Sequence, residues 1–307
     1  MSITGFLRGK GPSGFGWSST AEEIVEDLDL SDRTILITGS NSGLGAETAR
    51  VLAMKGAKVL ATARTEEKAE AAVREMEGEA IPLICELGDP QSVRSCAGAV
   101  RDLEVELDAI ICNAGIMALP KRETLFGYEK QFFVNHVGHF ILVTELLDLL
   151  ADDGRVIAVT SEAHKMAPAD GIQFDDLSAE KHYGAWRAYG HSKLANVLFA
   201  RELAYRFENS DTSRVANAAH PGPIDTNLTR NINVLARGIW SAFGPFFLKS
   251  IPEGAATQTW AAVHPDTAEL NGEYLLDCNV ARSSSNAADL EMAHRLWEVS
   301  EEIVAGL

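Results

Sequence analysis

Apolar positions along the chain fall into two rhythms that alternate. Thr34-Ile35-Leu36-Ile37-Thr38 is a short apolar run between polar Ser31-Asp32-Arg33 and a glycine-rich turn, which predicts a buried strand. Ala46, Ala49, Leu52 and Ala53 then recur at helical spacing, from a start near Leu44 to a stop at Gly56, and Lys58 to Thr62 reads as a second strand. The alternation continues with a charged helix over Glu66–Met76, a strand at Ile81–Ile84, a helix over Pro90–Leu103 and a strand at Ala109–Cys112. Helices are predicted over Phe126–Phe133 and His136–Leu150, then a strand at Val156–Thr160, a long helix over Arg187–Arg206 and a strand at Val215–Ala219.

Strands this uniformly apolar have no wet face, and strands alternating with helices imply a parallel sheet covered on both sides. The fold class is therefore α/β. Residues 31–307 read as one domain, with no repeat, low-complexity stretch or linker. Residues 1–30 read as an extension, either packed on that domain or disordered: Gly5, Gly9, Gly11, Gly14 and Gly16 loosen it, and one short capped helix is predicted between Ser19 and Leu30. Residues 162–186 and 226–251 are long connections without strand signals, and in an open α/β sheet such loops are candidate substrate walls.

Composition narrows the function. A net charge of −17 repels nucleic acid and anionic lipid surfaces, so neither is an expected partner. No run approaches a membrane-spanning length of about 18 apolar residues, and no secretory leader pattern is present, which together predict a cytoplasmic protein without a membrane span. Cys85, Cys96, Cys112 and Cys278 form no close-spaced pair and are expected to be reduced core thiols. His136, His139 and His191 are expected to be structural, and no spacing suggests a metal.

Candidate chemistry begins where the first strand turns into the first helix. Gly39, Ser40, Asn41, Ser42, Gly43, Leu44 and Gly45 lie where a dinucleotide pyrophosphate can rest on free helix N–H groups, although an ordinary glycine turn would look alike. At the end of the second strand Arg64, with Lys68 one turn on, can pair with a ribose 2′-phosphate, which favours NADP(H) over NAD(H). Tyr189 and Lys193 stand four apart on one helix face, and a nearby ammonium favours the phenolate and lowers the tyrosine pKa. At the end of the fifth strand Ser161 and Thr160 compete to donate a hydrogen bond to a substrate oxygen. Asn135 is a poor helix former in an apolar helical stretch.

These residues carry a resemblance. Thr38-Gly39-x-x-x-Gly43-x-Gly45, Asn113-Ala114-Gly115, Tyr189-x-x-x-Lys193 and Pro221-Gly222 stand in the order of the motifs of the short-chain dehydrogenase/reductase family, over Thr34 to Cys278. The resemblance implies a single Rossmann-type doubly wound parallel sheet and a catalytic set of Asn135, Ser161, Tyr189 and Lys193. In it Tyr189 is the acid/base, Lys193 lowers its pKa and holds the nicotinamide ribose, and Asn135 kinks its helix and binds a water. It further implies cofactor contacts from Asn113, Ala114 and Gly115, and a carboxamide grip from Pro221, Gly222, Ile224 and Thr226. Glu86-Leu87 stands where the family often has Asp-Leu against the adenine, a departure that puts this one contact in question.

The stretches Asn135-His136-Val137-Gly138-His139-Phe140, Thr160-Ser161-Glu162-Ala163-His164 and His220-Pro221-Gly222 resemble retinol dehydrogenases, the WW-domain oxidoreductase and protochlorophyllide reductase. That branch implies a bulky lipophilic substrate: a steroid such as a 17β-hydroxysteroid, a retinoid or a long-chain alcohol. Met117, His164, Met166, Trp186, Trp240, Phe243, Phe246 and Phe247 could wall such a pocket. The alternatives are a non-enzymatic NADP(H)-binding redox sensor and a tetrapyrrole reductase resembling protochlorophyllide reductase. A homo-oligomer is expected from the family's habit.

Overall fold

The computed structural model describes residues 9–74, 76–224 and 248–307. Thr20 and Glu23 form a reciprocal capping box that starts a single turn, α1 (Ala21–Ile24). It is shorter than the Ser19–Leu30 pattern suggested, because from Val25 onward the backbone bonds reach three residues back (Val25 to Glu22, Leu28 to Val25) and close tight turns instead of continuing the helix. There follow β1 (Thr34–Ile37), α2 (Gly43–Met54), β2 (Lys58–Ala63), α3 (Glu66–Arg74), β3 (Ala80–Ile84), α4 (Pro90–Arg101) and β4 (Leu107–Cys112). After a small hairpin come α5 (Gly138–Leu146), β5 (Leu150–Val159), α6 (Ala185–Glu208) and β6 (Val215–His220). The last elements are α7 (Ile251–Val263), β7 (Tyr274–Leu276), β8 (Asn279–Val280) and α8 (Leu290–Ala305), all beyond the last predicted strand.

The eight strands form one sheet in the order β8-β7-β6-β5-β4-β1-β2-β3. All neighbours run parallel except β8, which pairs antiparallel with β7. Alternate side chains of a strand serve opposite faces. Leu36 and Ile110 join the core under α4, α5, α6 and α8, while Ile35, Ile37 and Ile111 join the core under α1, α2 and α7. A fully buried side chain such as Ile111 contributes about 1.5–3 kcal/mol, so both faces of the central strands stabilise the sheet. Strand order reverses between β1 and β4, which opens a crevice at their carboxyl ends.

Two expected helices change shape. Phe126 and Gly127 both take positive φ (51° and 89°) in a two-residue hairpin loop between Thr124–Leu125 and Tyr128–Glu129, so helix begins only at Lys130. Such a loop twists in the sense that its flanking strands require. From Lys130 the helix passes through a π turn at Phe133–Val137 before becoming α5. The run Lys130–Leu149 is long and apolar enough to cross a membrane by length and composition, yet most of it is buried inside the fold.

The described N-terminal residues lie against the far edge of the sheet. Ser13 N–H donates to Asn279 Oδ1 (3.1 Å), Asn279 Nδ2 donates to Phe15 O (3.2 Å), and Trp17 is buried. The fully buried Lys249 ammonium lies 5.2 Å over the Trp17 ring and 2.6 Å from Asp277 Oδ1.

Candidate active site

The glycine turn sits at the mouth of the crevice. Gly39 N–H reaches Thr62 Oγ1 (3.4 Å) and Ser40 N–H donates to Thr62 O (2.9 Å), which tie the turn to β2. The Ser40 hydroxyl is spent inward on Ile37 O (2.9 Å), whereas Asn41 and Ser42 are exposed. Ser42 is the N-cap of α2 but makes no side-chain capping bond, and the first turn of α2 carries no acidic residue. First-turn N–H groups uncapped by a side chain favour an anion. A Cβ on Gly43 would meet nothing within 4 Å, so the space above the turn is open. These features fit a dinucleotide pyrophosphate.

The end of β4 is braced against this turn. Asn113 Nδ2 donates to Thr38 O (2.8 Å), and Ala114 N–H donates to Thr38 Oγ1 (2.9 Å). Gln258 of α7 donates to both Asn113 Oδ1 (3.2 Å) and Thr48 Oγ1 (2.8 Å), a brace that the sequence reading missed. Arg64 is exposed just beyond β2, as a phosphate-binding side chain must be. Leu87 is buried, and the Glu86 carboxylate turns back to accept from Gly88 N–H (3.1 Å). Pro221 and Gly222 follow β6 and are buried, and Ile224 bridges to Lys249. Thr226, Trp240, Phe243, Phe246 and Phe247 lie outside the described residues.

Tyr189, Ser161, Lys193 and Asn135 converge between the ends of β4, β5 and α6. The Thr160 hydroxyl donates to Lys193 O (2.8 Å), which leaves Ser161 as the hydroxyl available on the Tyr189 side. Ser161 also caps the short helical turn after it, accepting from Ala163 N–H (3.2 Å). Lys193 Nζ donates to Val159 O (2.9 Å) and lies 5.8 Å from the Tyr189 ring centroid. Asn135 sits in the π turn, where its Oδ1 accepts from Ile116 N–H (2.8 Å) and its Nδ2 donates to Ile116 O and Ser192 Oγ (both 2.9 Å). A π turn in a helix is frequent at functional sites.

The electrostatics differ from the simple lysine-on-tyrosine expectation. Burial pushes the Tyr189 phenol up to about 12, opposed by the Ser161 hydrogen bond. Burial also lowers Lys193 to about 8, with the Cys112 thiol acting the other way. The reason is dielectric: both groups are buried, so the charged form of each is disfavoured before a partner compensates.

Gly190 sets the contact between α6 and the turn after Ser161, a role that spacing did not reveal. A Cβ there would stand 2.4 Å from Ala163 O and 2.9 Å from Ala167 N, both backbone atoms. Gly190→Ala is expected to push Tyr189 away from Ser161 and lose about 1–3 kcal/mol of stability by overpacking. Turnover should fall more than NADPH affinity, since the glycine turn is untouched. Thermal melts with NADPH titration and rates check this, and an alanine variant with wild-type kcat would refute it.

His136, His139 and His191 are buried, and burial lowers them to about 3, 4 and 4. His136 Nε2 meets Ser300 Oγ (2.8 Å), and His191 Nε2 accepts from Gln173 N–H (3.1 Å). His164 is buried too, its Nδ1 bonded to Ser161 O (2.8 Å), so it supports the serine rather than walling an open pocket. The four cysteines are free and buried.

Comparison with known proteins fits this geometry. A family profile described as short chain dehydrogenase matches residues 33–174. The chain is 38% identical to the short-chain dehydrogenase TIC 32 A, chloroplastic, of Brassica napus, over the whole of both chains. It is 39% identical to retinol dehydrogenase 12 of Mus musculus, over 91% of this chain and 88% of that one. The solved structure of an uncharacterised protein from Mycobacterium paratuberculosis superposes with a TM-score of 0.75 at 34% identity, covering 94% of this chain and 98% of that one. Fold, crevice and relatives together define a nicotinamide-dependent oxidoreductase working on the alcohol or carbonyl group of a small molecule. The chain belongs to the short-chain dehydrogenase/reductase family.

Proposed function

We propose that this chain is a reversible alcohol dehydrogenase or carbonyl reductase for a bulky lipophilic substrate, using NADP(H) in preference to NAD(H). The observation that carries the reading is the buried Tyr189 and Lys193 on one helix face, the Lys193 ammonium 5.8 Å from the Tyr189 ring centroid, with Trp186 standing edge-on to the Tyr189 ring at 6.1 Å. Trp186 is 42% exposed beside Tyr189, and Met166, whose backbone packs on Gly190, is 52% exposed, so apolar surface lies open near the tyrosine. Relatives named as retinol dehydrogenases support an apolar substrate.

The nicotinamide, when bound, supplies or accepts the hydride. Gly39 to Gly45 would hold the pyrophosphate, Arg64 the 2′-phosphate, Asn113 to Gly115 the adjoining ribose side, and Pro221, Gly222, Ile224 and Thr226 the carboxamide. In the reducing direction Tyr189 donates the phenolic proton to the substrate oxygen, and Ser161 donates a hydrogen bond to the same atom where negative charge grows. Lys193, its ammonium four residues along the same helix face, stabilises the phenolate left on Tyr189. Asn135 holds the end of β4 through Ile116 and the catalytic helix through Ser192, which fixes the distance between them.

The test is nicotinamide absorbance followed in both directions against steroids, retinoids, long-chain alcohols and simple ketones, with each cofactor. Turnover confined to small polar ketones would overturn the lipophilic assignment. Arg64→Glu is expected to weaken NADPH by about 10- to 100-fold, because a carboxylate replaces the partner of the 2′-phosphate, while NADH affinity holds or improves. Unchanged NADPH binding in that variant would remove Arg64 from the cofactor site.

A further inference from the structure

His139 lies four residues after Asn135 and closes a network that the hydride-transfer chemistry does not use. Its Nδ1 is 2.9 Å from Asn135 O, and its Nε2 is 2.8 Å from Thr38 Oγ1. The ring is 2% exposed. Burial lowers its pKa to about 4, so near neutrality it carries one N–H. A carbonyl only accepts, so that proton sits on Nδ1 and points to Asn135 O. Nε2 is then an acceptor, and the Thr38 hydroxyl donates to it. Thr38 Oγ1 in turn accepts from Ala114 N–H (2.9 Å), while the competing acceptor Ile111 O is farther off at 3.4 Å. Every donor and acceptor in the chain Ala114, Thr38, His139, Asn135 has one assigned direction.

The partners belong to three separate parts of the crevice. Thr38 leads into the glycine turn, Ala114 follows β4, and Asn135 occupies the π turn. A buried histidine that merely satisfied the core would have no reason to join these three. We propose that His139 is a positioning residue for hydride transfer, its ring acting as the cross-brace between the π turn and the cofactor-binding ends of β1 and β4. The Nε2 end serves cofactor affinity, through Thr38 and Ala114. The Nδ1 end serves turnover, through the turn that carries Asn135 beside Ser192 and α6. The turnover half rests on the reading of Tyr189 and Lys193 as the reacting pair; the affinity half does not.

Two half-replacements separate the ends. In His139→Asn the side-chain amide nitrogen falls near the old Nδ1 and cannot reach Thr38; in His139→Gln the terminal amide reaches toward Thr38 and abandons Asn135 O. With the full chain, NADPH titration by fluorescence should show His139→Asn binding about 3- to 10-fold more weakly, with kcat at saturating NADPH nearly unchanged. His139→Gln should show the opposite, a similar loss in kcat with NADPH affinity nearly unchanged. Thr38→Val keeps the native histidine and should reproduce the affinity loss of His139→Asn, with no further loss when the two are combined. The inference is overturned if both histidine variants keep wild-type affinity and kcat while melting earlier, if both lose the two properties alike, or if Thr38→Val and His139→Asn add. Because NADPH binding needs no substrate, failure of the Tyr189 reading leaves the affinity half standing or falling on its own.

Discussion

Tyr189→Phe is expected to lower turnover by about 10²–10⁴-fold, the range set by loss of a general acid or base, while NADPH binds as in the wild type. The ring is retained, so the packing against Trp186 and the buried face of α6 persist and the melting temperature should move little. What disappears is the proton. Burial holds the Tyr189 phenol up at about 12, so near neutrality it is protonated and poised as an acid, which suits carbonyl reduction. The oxidising direction needs the phenolate, and its rate should therefore climb as pH rises, until Lys193, lowered to about 8, loses the charge that stabilises that phenolate. Rates in both directions against pH check the sign. A phenylalanine variant that reduces substrate at the wild-type rate would remove Tyr189 from the reaction.

Gly45→Ala is expected to reduce NADPH affinity by about 10- to 100-fold and stability by about 1–3 kcal/mol. The added Cβ would stand 2.3 Å from Gly39 O and 2.5 Å from Asn113 Nδ2. The first is backbone. The second belongs to a side chain held on both ends, by Thr38 O and by Gln258, so it cannot swing aside cheaply. The turn must open, which moves the N–H groups of α2 away from the pyrophosphate. NADPH titration and a melting curve measure the two losses, and an alanine variant that binds like the wild type would show that the turn does not hold the cofactor.

Much of the site was legible because its signals are local. Tyr189 and Lys193 sit one helical turn apart, and the glycine turn interrupts a strand-to-helix passage within eight residues of sequence. The parallel sheet covered on both faces followed from alternating apolar runs, whereas its strand order came only with the structure. The rest depends on contacts that spacing does not encode. The π turn at Phe133–Val137 has no propensity signature, so Asn135 could be marked only as a poor helix former. α7 escaped notice because its buried positions are small or polar, Ala255, Ala256, Thr257, Gln258 and Thr259 among them, and give no apolar stripe. β7 is three residues long, too short to alternate visibly. α8 by contrast carries a helical stripe in Ala293, Leu296, Trp297 and Ile303. Phe126–Gly127 read as helix because the apolar spacing continued through a turn that only the paired positive φ angles define.

The braces around Thr38 also bear on how the chain reaches this state. Thr38 bonds Ala114 across 76 residues of sequence and His139 across 101, and Gln258 reaches Asn113 across 145. Contacts of such separation form slowly, since loop closure must precede any gain from the contact. The cofactor crevice is thus expected to be completed late in folding, since its longest brace, Gln258 on Asn113, spans more sequence than the pairing of β1 with β4 that forms its walls. During synthesis, Asn113 is made long before Gln258 exists to hold it, so a nascent chain with most of its sheet already emerged still lacks a finished cofactor site.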